Sequence, residues 1–121
     1  MKLHLTHPEG NNLITGYGEG WVQINATQHR TSLIVMPKLV ESWSVSSLSM
    51  LEPGHFQAVI DFAPEVLLLG TGAQLRFPPA ACLKLIVEAA IGFEIMDTAA
   101  ACRTYNILMS EGRNVAAALI I

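Results

Sequence analysis

A chain of 121 residues is sized for one domain with one core, and its 14% charged and 51% hydrophobic content leaves far fewer charges than the ~25% of an average soluble domain. Much of its surface is therefore expected to be weakly polar or covered by a partner, through self-association or a second protein. A net charge of −3, with seven scattered Lys and Arg, provides no basic field for a phosphate backbone, so nucleic acid is not expected among its partners.

The start, MKLHLTHPEG, lacks the apolar core of a signal peptide and the Arg/Ser enrichment of a transit peptide, which points to a cytoplasmic setting. The apolar run over 80–95 is interrupted by Lys84, Glu88, Gly92 and Glu94, too soon for a membrane span of ~20 residues. Alternation and turn chemistry predict strands near 2–6, 12–17, 20–25 and 29–36, with Val22 and Ile24 facing inward. The continuous SLIVM run suits a strand covered on both faces, and Pro37 stops it. A short extended piece near 42–45 and a helix opening at Pro53, with Phe56, Val59, Ile60 and Ala63 as its apolar stripe, complete the first half.

From Glu65 onward the pattern becomes βαβαβ: strand 66–70, helix 79–90, strand 92–96, helix 98–112 and strand 115–121. Such alternation calls for parallel strands joined by right-handed helical crossovers. With no linker or repeat, the chain reads as a single domain, 1–121. On a wheel of 100° per residue the last helix turns Ala101, Tyr105 and Leu108 to the core, with Cys102 and Met109 at the edge, and places Arg103, Asn106 and Ser110 opposite. Asp97 or Thr98 is suited to cap its N-terminus, and Gly112 to supply the left-handed residue after its end. Glu111 faces the negative end of the helix dipole and calls for a cation, for which Arg113 is nearest in sequence.

Candidate chemistry is sparse. The loops Gly70-Thr71-Gly72 and Met96-Asp97-Thr98 follow successive strands, and ligands of open α/β sheets settle at such carboxyl ends, where helix N-termini offer N–H groups to anions. The dinucleotide fingerprint fails because Leu75 stands where its third glycine belongs, so no cofactor is expected. His4 and His7 point to opposite faces of a strand, and no Cys or His cluster has metal-ligand spacing, so no metal is expected either. Cys82 and Cys102 read as reduced core thiols; Cys102, beside Arg103 and near a helix N-terminus, is the better nucleophile candidate but lacks a base. No catalytic residue set emerges, and the expectation is a non-enzyme.

The strings VLLLGTG, RFPP and, above all, EIMDTAAACRTYNILMSEGRNVAAALI resemble a widespread family of small domains of unknown activity. Its eukaryotic members include the mitochondrial respiratory complex I assembly factor 3 and an adipogenesis-associated domain protein. The resemblance covers most of the chain, with Trp43 and residues 66–120 at its centre. It implies a three-layer α/β fold around a central mixed, largely parallel sheet, and a protein-binding or assembly role by analogy with the mitochondrial members. It supplies no catalytic residues. The candidate ligand-binding residues are therefore Gly70, Thr71, Gly72, Asp97, Thr98, Arg103, Asn106, Glu111 and Arg113, as the alternative expectation of a small-ligand or anion site.

Overall fold

The computed structural model describes residues 10–121; the expected strand at 2–6, with His4 and His7, lies outside them. Three strands, β1 (Ile14–Gly18), β2 (Trp21–Ile24) and β3 (Thr27–His29), form a small antiparallel meander. Its first turn is Glu19-Gly20, where Gly20 takes φ +76° without the steric cost that a Cβ would add. β4 (Leu33–Met36), β5 (Leu39–Ser42), β6 (Val66–Gly70), β7 (Gly92–Met96) and β8 (Val115–Leu119) make a five-stranded sheet of order β5-β4-β8-β6-β7. β6 runs parallel to both β7 and β8, while β4 is antiparallel to β8 and β5. The fold is thus the expected mixed α/β architecture.

Period-two alternation divides the core into two. From β4, β6 and β8, Leu33, Val35, Val66, Leu68, Val115, Ala117 and Leu119 face one side, where the long helix α3 (Thr98–Ser110) and the small meander cover them. Ile34, Met36, Leu67, Leu69, Ala116, Ala118 and Ile120 face the other, under Trp43, Phe56, Val59 and Ile86. All four β4 residues are buried, as the continuous apolar run required. Covering that second face are the short helices α1 (Gln57–Asp61) and α2 (Lys84–Glu88), each entered through a 3-10 turn, Pro53–Phe56 and Ala80–Leu83. Cys82 belongs to this core and Cys102 to the other, so the sheet separates the two free thiols.

Several boundaries differ from expectation. The predicted strand at 29–36 is two: β3 ends at His29, and the chain changes sheets through 30–32 before β4. Pro37 ends β4 at Met36 as expected and opens a tight turn with Lys38, so the next strand, β5, runs over Leu39–Ser42 and the extended piece expected near 42–45 carries no strand beyond Ser42. The helix expected over 79–90 is α-helical over Lys84–Glu88 alone. Of the predicted stripe, Phe56 in the 3-10 turn and Val59 in α1 are buried and Ile60 packs partly buried against the same core, whereas Ala63 lies past the helix end with φ +51°.

Candidate functional site

The carboxyl ends of β6 and β7 bring the two predicted loops together, and hydrogen bonds fasten one to the other. Thr71 N–H donates to Met96 O at 2.9 Å, Thr98 N–H to Gly72 O at 2.9 Å, and Gly72 N–H to Thr98 Oγ1 at 2.8 Å. Thr98 Oγ1 in turn donates to Ile120 O at 2.7 Å, tying in the end of β8. Gly70 is required by this closeness: a Cβ there would lie 3.0 Å from Thr98 Oγ1 and 3.1 Å from its Cα. Thr71 Oγ1 donates to Gln74 O and accepts from Arg76 N–H, shaping the following turn. Asp97 caps α3 by accepting from Ala100 N–H at 2.8 Å. The amides of Thr71, Gly72, Thr98 and Ala100 are thus engaged within the protein, and the helix N-terminus already carries a carboxylate.

Two clefts flank this fastened loop. The larger, about 590 Å³, lies between it and the β1–β2 hairpin and is walled by Tyr17, Trp21, Ala99 and Ile121, with Glu19 at the hairpin turn. That volume is within the range of small-molecule sites. Gly18 seats the Trp21 indole, since a Cβ on Gly18 would overlap the ring. The smaller, about 320 Å³, is bordered by Leu48 together with Ser46, Ser47, Ser49, Thr71, Gln74 and Arg76. Ala73 and Ile120 border both clefts.

The nine candidate residues therefore separate. Gly70, Thr71, Gly72, Asp97 and Thr98 assemble at the rim. Arg103 touches the larger cleft only through Tyr17, donating from Nη1 to its hydroxyl at 2.6 Å with the guanidinium 5.9 Å from the ring centroid. Asn106, expected on a solvated face, is fully buried against β1. Glu111 and Arg113 lie at the opposite end of the 13-residue α3, ~20 Å from the rim at 1.5 Å per residue. There the expected Glu111–Arg113 pair is replaced: Arg113 Nε lies 3.5 Å from Glu65 Oε2, because the chain brings the residue before β6 alongside the start of β8.

Cys102 makes a poor nucleophile here. Burial pushes its thiol up to about 12, Arg103 offsets this only in part, and Asp97 adds to it. Sequence reasoning passed over Tyr17, Trp21, Ser46, Ser47, Ser49 and Arg76. The glycines of GYGEGW and the serines of SWSVSSLSM were the available signals, each more readily explained as turn chemistry.

Fold and rim together define a three-layer α/β domain with clefts at the carboxyl edge of its sheet. Residues 14–120 match the model of a family described as a protein of unknown function (DUF498/DUF598), and the chain belongs to that family. A solved structure of a Bordetella parapertussis protein is 36% identical with a TM-score of 0.86, covering 93% of this chain and 98% of that one. The zebrafish NADH dehydrogenase (ubiquinone) 1 alpha subcomplex assembly factor 3 is 34% identical over 110 residues, 89% of this chain and 63% of that protein. The chain thus spans less than two thirds of that factor's length. A Francisella tularensis relative named "13 kDa major membrane protein" is 27% identical over 106 residues, 86% of each chain. Among the described residues, no helix of this chain is long and apolar enough to cross a membrane.

Proposed function

We propose that this chain is a non-enzymatic, protein-binding or assembly-type module acting in the cytoplasm, with a second protein or another copy of itself as partner. The observation that carries the reading is the loop leaving the rim, where Leu75 and Phe77 stand 51% and 71% exposed. Large apolar side chains placed together in water mark contact surfaces more often than accidents. The names of the assembly-factor relatives support the same class of role, and the net charge of −3 argues against nucleic acid. The test is affinity purification from native cells with the wild type and a Leu75→Ser/Phe77→Ser variant, beside analytical ultracentrifugation of both. A partner or a dimer lost with the variant supports the reading. A wild type that sediments as a monomer and retains the same proteins as the variant overturns it.

The larger cleft favours a second reading, a small-ligand site at the loops after β6 and β7, with Gly72 and Thr98 in its wall. Because the loop amides bond one another, the ligand's contacts fall to the cleft walls rather than to the helix N-terminus. A thermal-shift panel of metabolites tests it: a ligand at 100 times its Kd raises stability by ~2.7 kcal/mol. A panel without a single shift retires it.

A further inference from the structure

Exposed donors of Ser46, Ser47, Ser49 and Arg76 border the smaller cleft and turn within the protein only to weak or neutral acceptors. Ser46 directs both its N–H and its hydroxyl at the thioether of Met50, at 3.2 and 3.1 Å, although a thioether is a weak acceptor. Ser47 and Ser49 pair their hydroxyls with each other at 3.0 Å. The Arg76 guanidinium donates only to the neutral Gln74 Oε1 at 3.4 Å, and among the described residues it takes part in no ion pair. A planar cation beside three hydroxyls matches a carboxylate, which it can bind through two N–H groups at once.

The neighbouring cleft is more strongly apolar, with walls of Tyr17, Trp21, Ala99 and Ile121. Its Glu19 opposes an acidic head at the hairpin end. Ala73, with a one-carbon side chain, and Ile120 line both clefts. We propose that the clefts form one site for a free amphipathic carboxylate, its acid group held by Arg76 and the Ser46–Ser49 hydroxyls and its apolar body passing over Ala73 onto Trp21. This rests on the small-ligand reading above and gives that site a ligand class.

The test is amide and indole NMR of the whole chain titrated with octanoate, octanol and acetate. The Trp43 indole, bonded to His55 O at 3.0 Å inside the core, is the internal reference. Octanoate is expected to shift the Trp21 indole N–H together with the amides of Ser47 and Arg76, saturably and with one affinity, whereas octanol moves Trp21 alone. Arg76→Gln should weaken octanoate at least tenfold, about 1.4 kcal/mol, and leave octanol unchanged, with Arg76→Lys recovering part of the loss. Ala73→Phe, at an exposed loop position, should block octanoate but not acetate. Equal affinity for octanoate and octanol, an unaffected Arg76→Gln variant, or shifts confined to one cleft overturns the proposal. So does binding to phosphatidylglycerol vesicles without a response to octanoate, which assigns the anion preference to a lipid surface. If acetate moves the rim amides and octanoate adds nothing, the small-ligand reading stands and the amphipathic one falls. If octanoate, octanol, acetate and the metabolite panel all leave the rim unmoved, both fall.

Discussion

Asn106 of α3 holds Ile14 of β1 by both backbone groups: its Oδ1 accepts from Ile14 N–H at 2.9 Å and its Nδ2 donates to Ile14 O at 2.7 Å. Both residues are fully buried, and β1 belongs to the meander rather than to the central sheet, so this amide is a polar rivet between two layers. Without this bridge the outward N–H and C=O of Ile14 would be buried unpaired. Asn106→Leu keeps the volume and orphans an N–H and a C=O. We expect it to cost about 3 kcal/mol in urea unfolding, from the ~1–3 kcal/mol of each stranded group. A loss under 1 kcal/mol would mean that β1 finds other partners.

The last helix ends in two bonds that depend on a left-handed residue. Gly112 N–H donates to Met109 O at 3.0 Å and Arg113 N–H to Leu108 O at 3.1 Å, with Gly112 at φ +82°. A Cβ there meets no neighbour, so the cost of substitution is conformational rather than steric. Gly112→Ala should therefore destabilise by about 1–2 kcal/mol. Gly54→Ala, where there is equal room and no left-handed φ, should be close to neutral. Equal effects at the two positions would remove the backbone explanation.

These two residues mark where the sequence is readable. Gly112 and the Asp97 cap were legible because capping is local chemistry that recurs at every helix end. The βαβαβ order was legible because apolar runs such as VLLLG and VAAAL are too continuous for a strand with one wet face. Asn106 was not, because a helical wheel assumes one covered face, and α3 is covered on two, by the central sheet and by β1. The break between β3 and β4 was hidden for a related reason: periodicity within a strand does not say which sheet it joins. At the site, the meeting of the two loops followed from strand order, but the walls of the clefts come from residues 17–22 and 46–49, which reach the rim only through tertiary packing.

Arg113 and Asn114 meet Glu65 far from the rim and set a pH dependence. The Asn114 N–H, donating to Glu65 Oε1 at 3.0 Å, holds that carboxyl below its ordinary 4.5; desolvation opposes this, and the charge and hydrogen bond of Arg113 add smaller downward contributions. A depressed folded-state value means that the ionised form stabilises the fold above about pH 4.5 and that this contribution fades as pH falls through the lower value. Glu65→Gln should accordingly unfold more readily than the wild type at pH 7, with the gap narrowing as pH falls below 4.5. The carboxylate is exposed, so the effect should be small and weaken with salt. A gap that does not change with pH would assign the loss to packing instead.

Cys102 provides the sharpest check on the enzyme alternative. It is fully buried among Leu68, Ala101 and Tyr105, and a thiol raised to about 12 leaves a thiolate fraction of ~10⁻⁴ at pH 8. Thiolate is the reactive form, so a Cys82→Ser variant, which isolates this residue, should react with a disulfide reagent only as fast as the protein opens. Adding urea below the unfolding midpoint should then speed labelling in step with the falling stability, and full unfolding should bring it to the rate of a free thiol. If native Cys102 labels within seconds at pH 8 and urea barely changes the rate, the thiol is reached without opening the core. A nucleophilic role for α3 would then have to be taken up again.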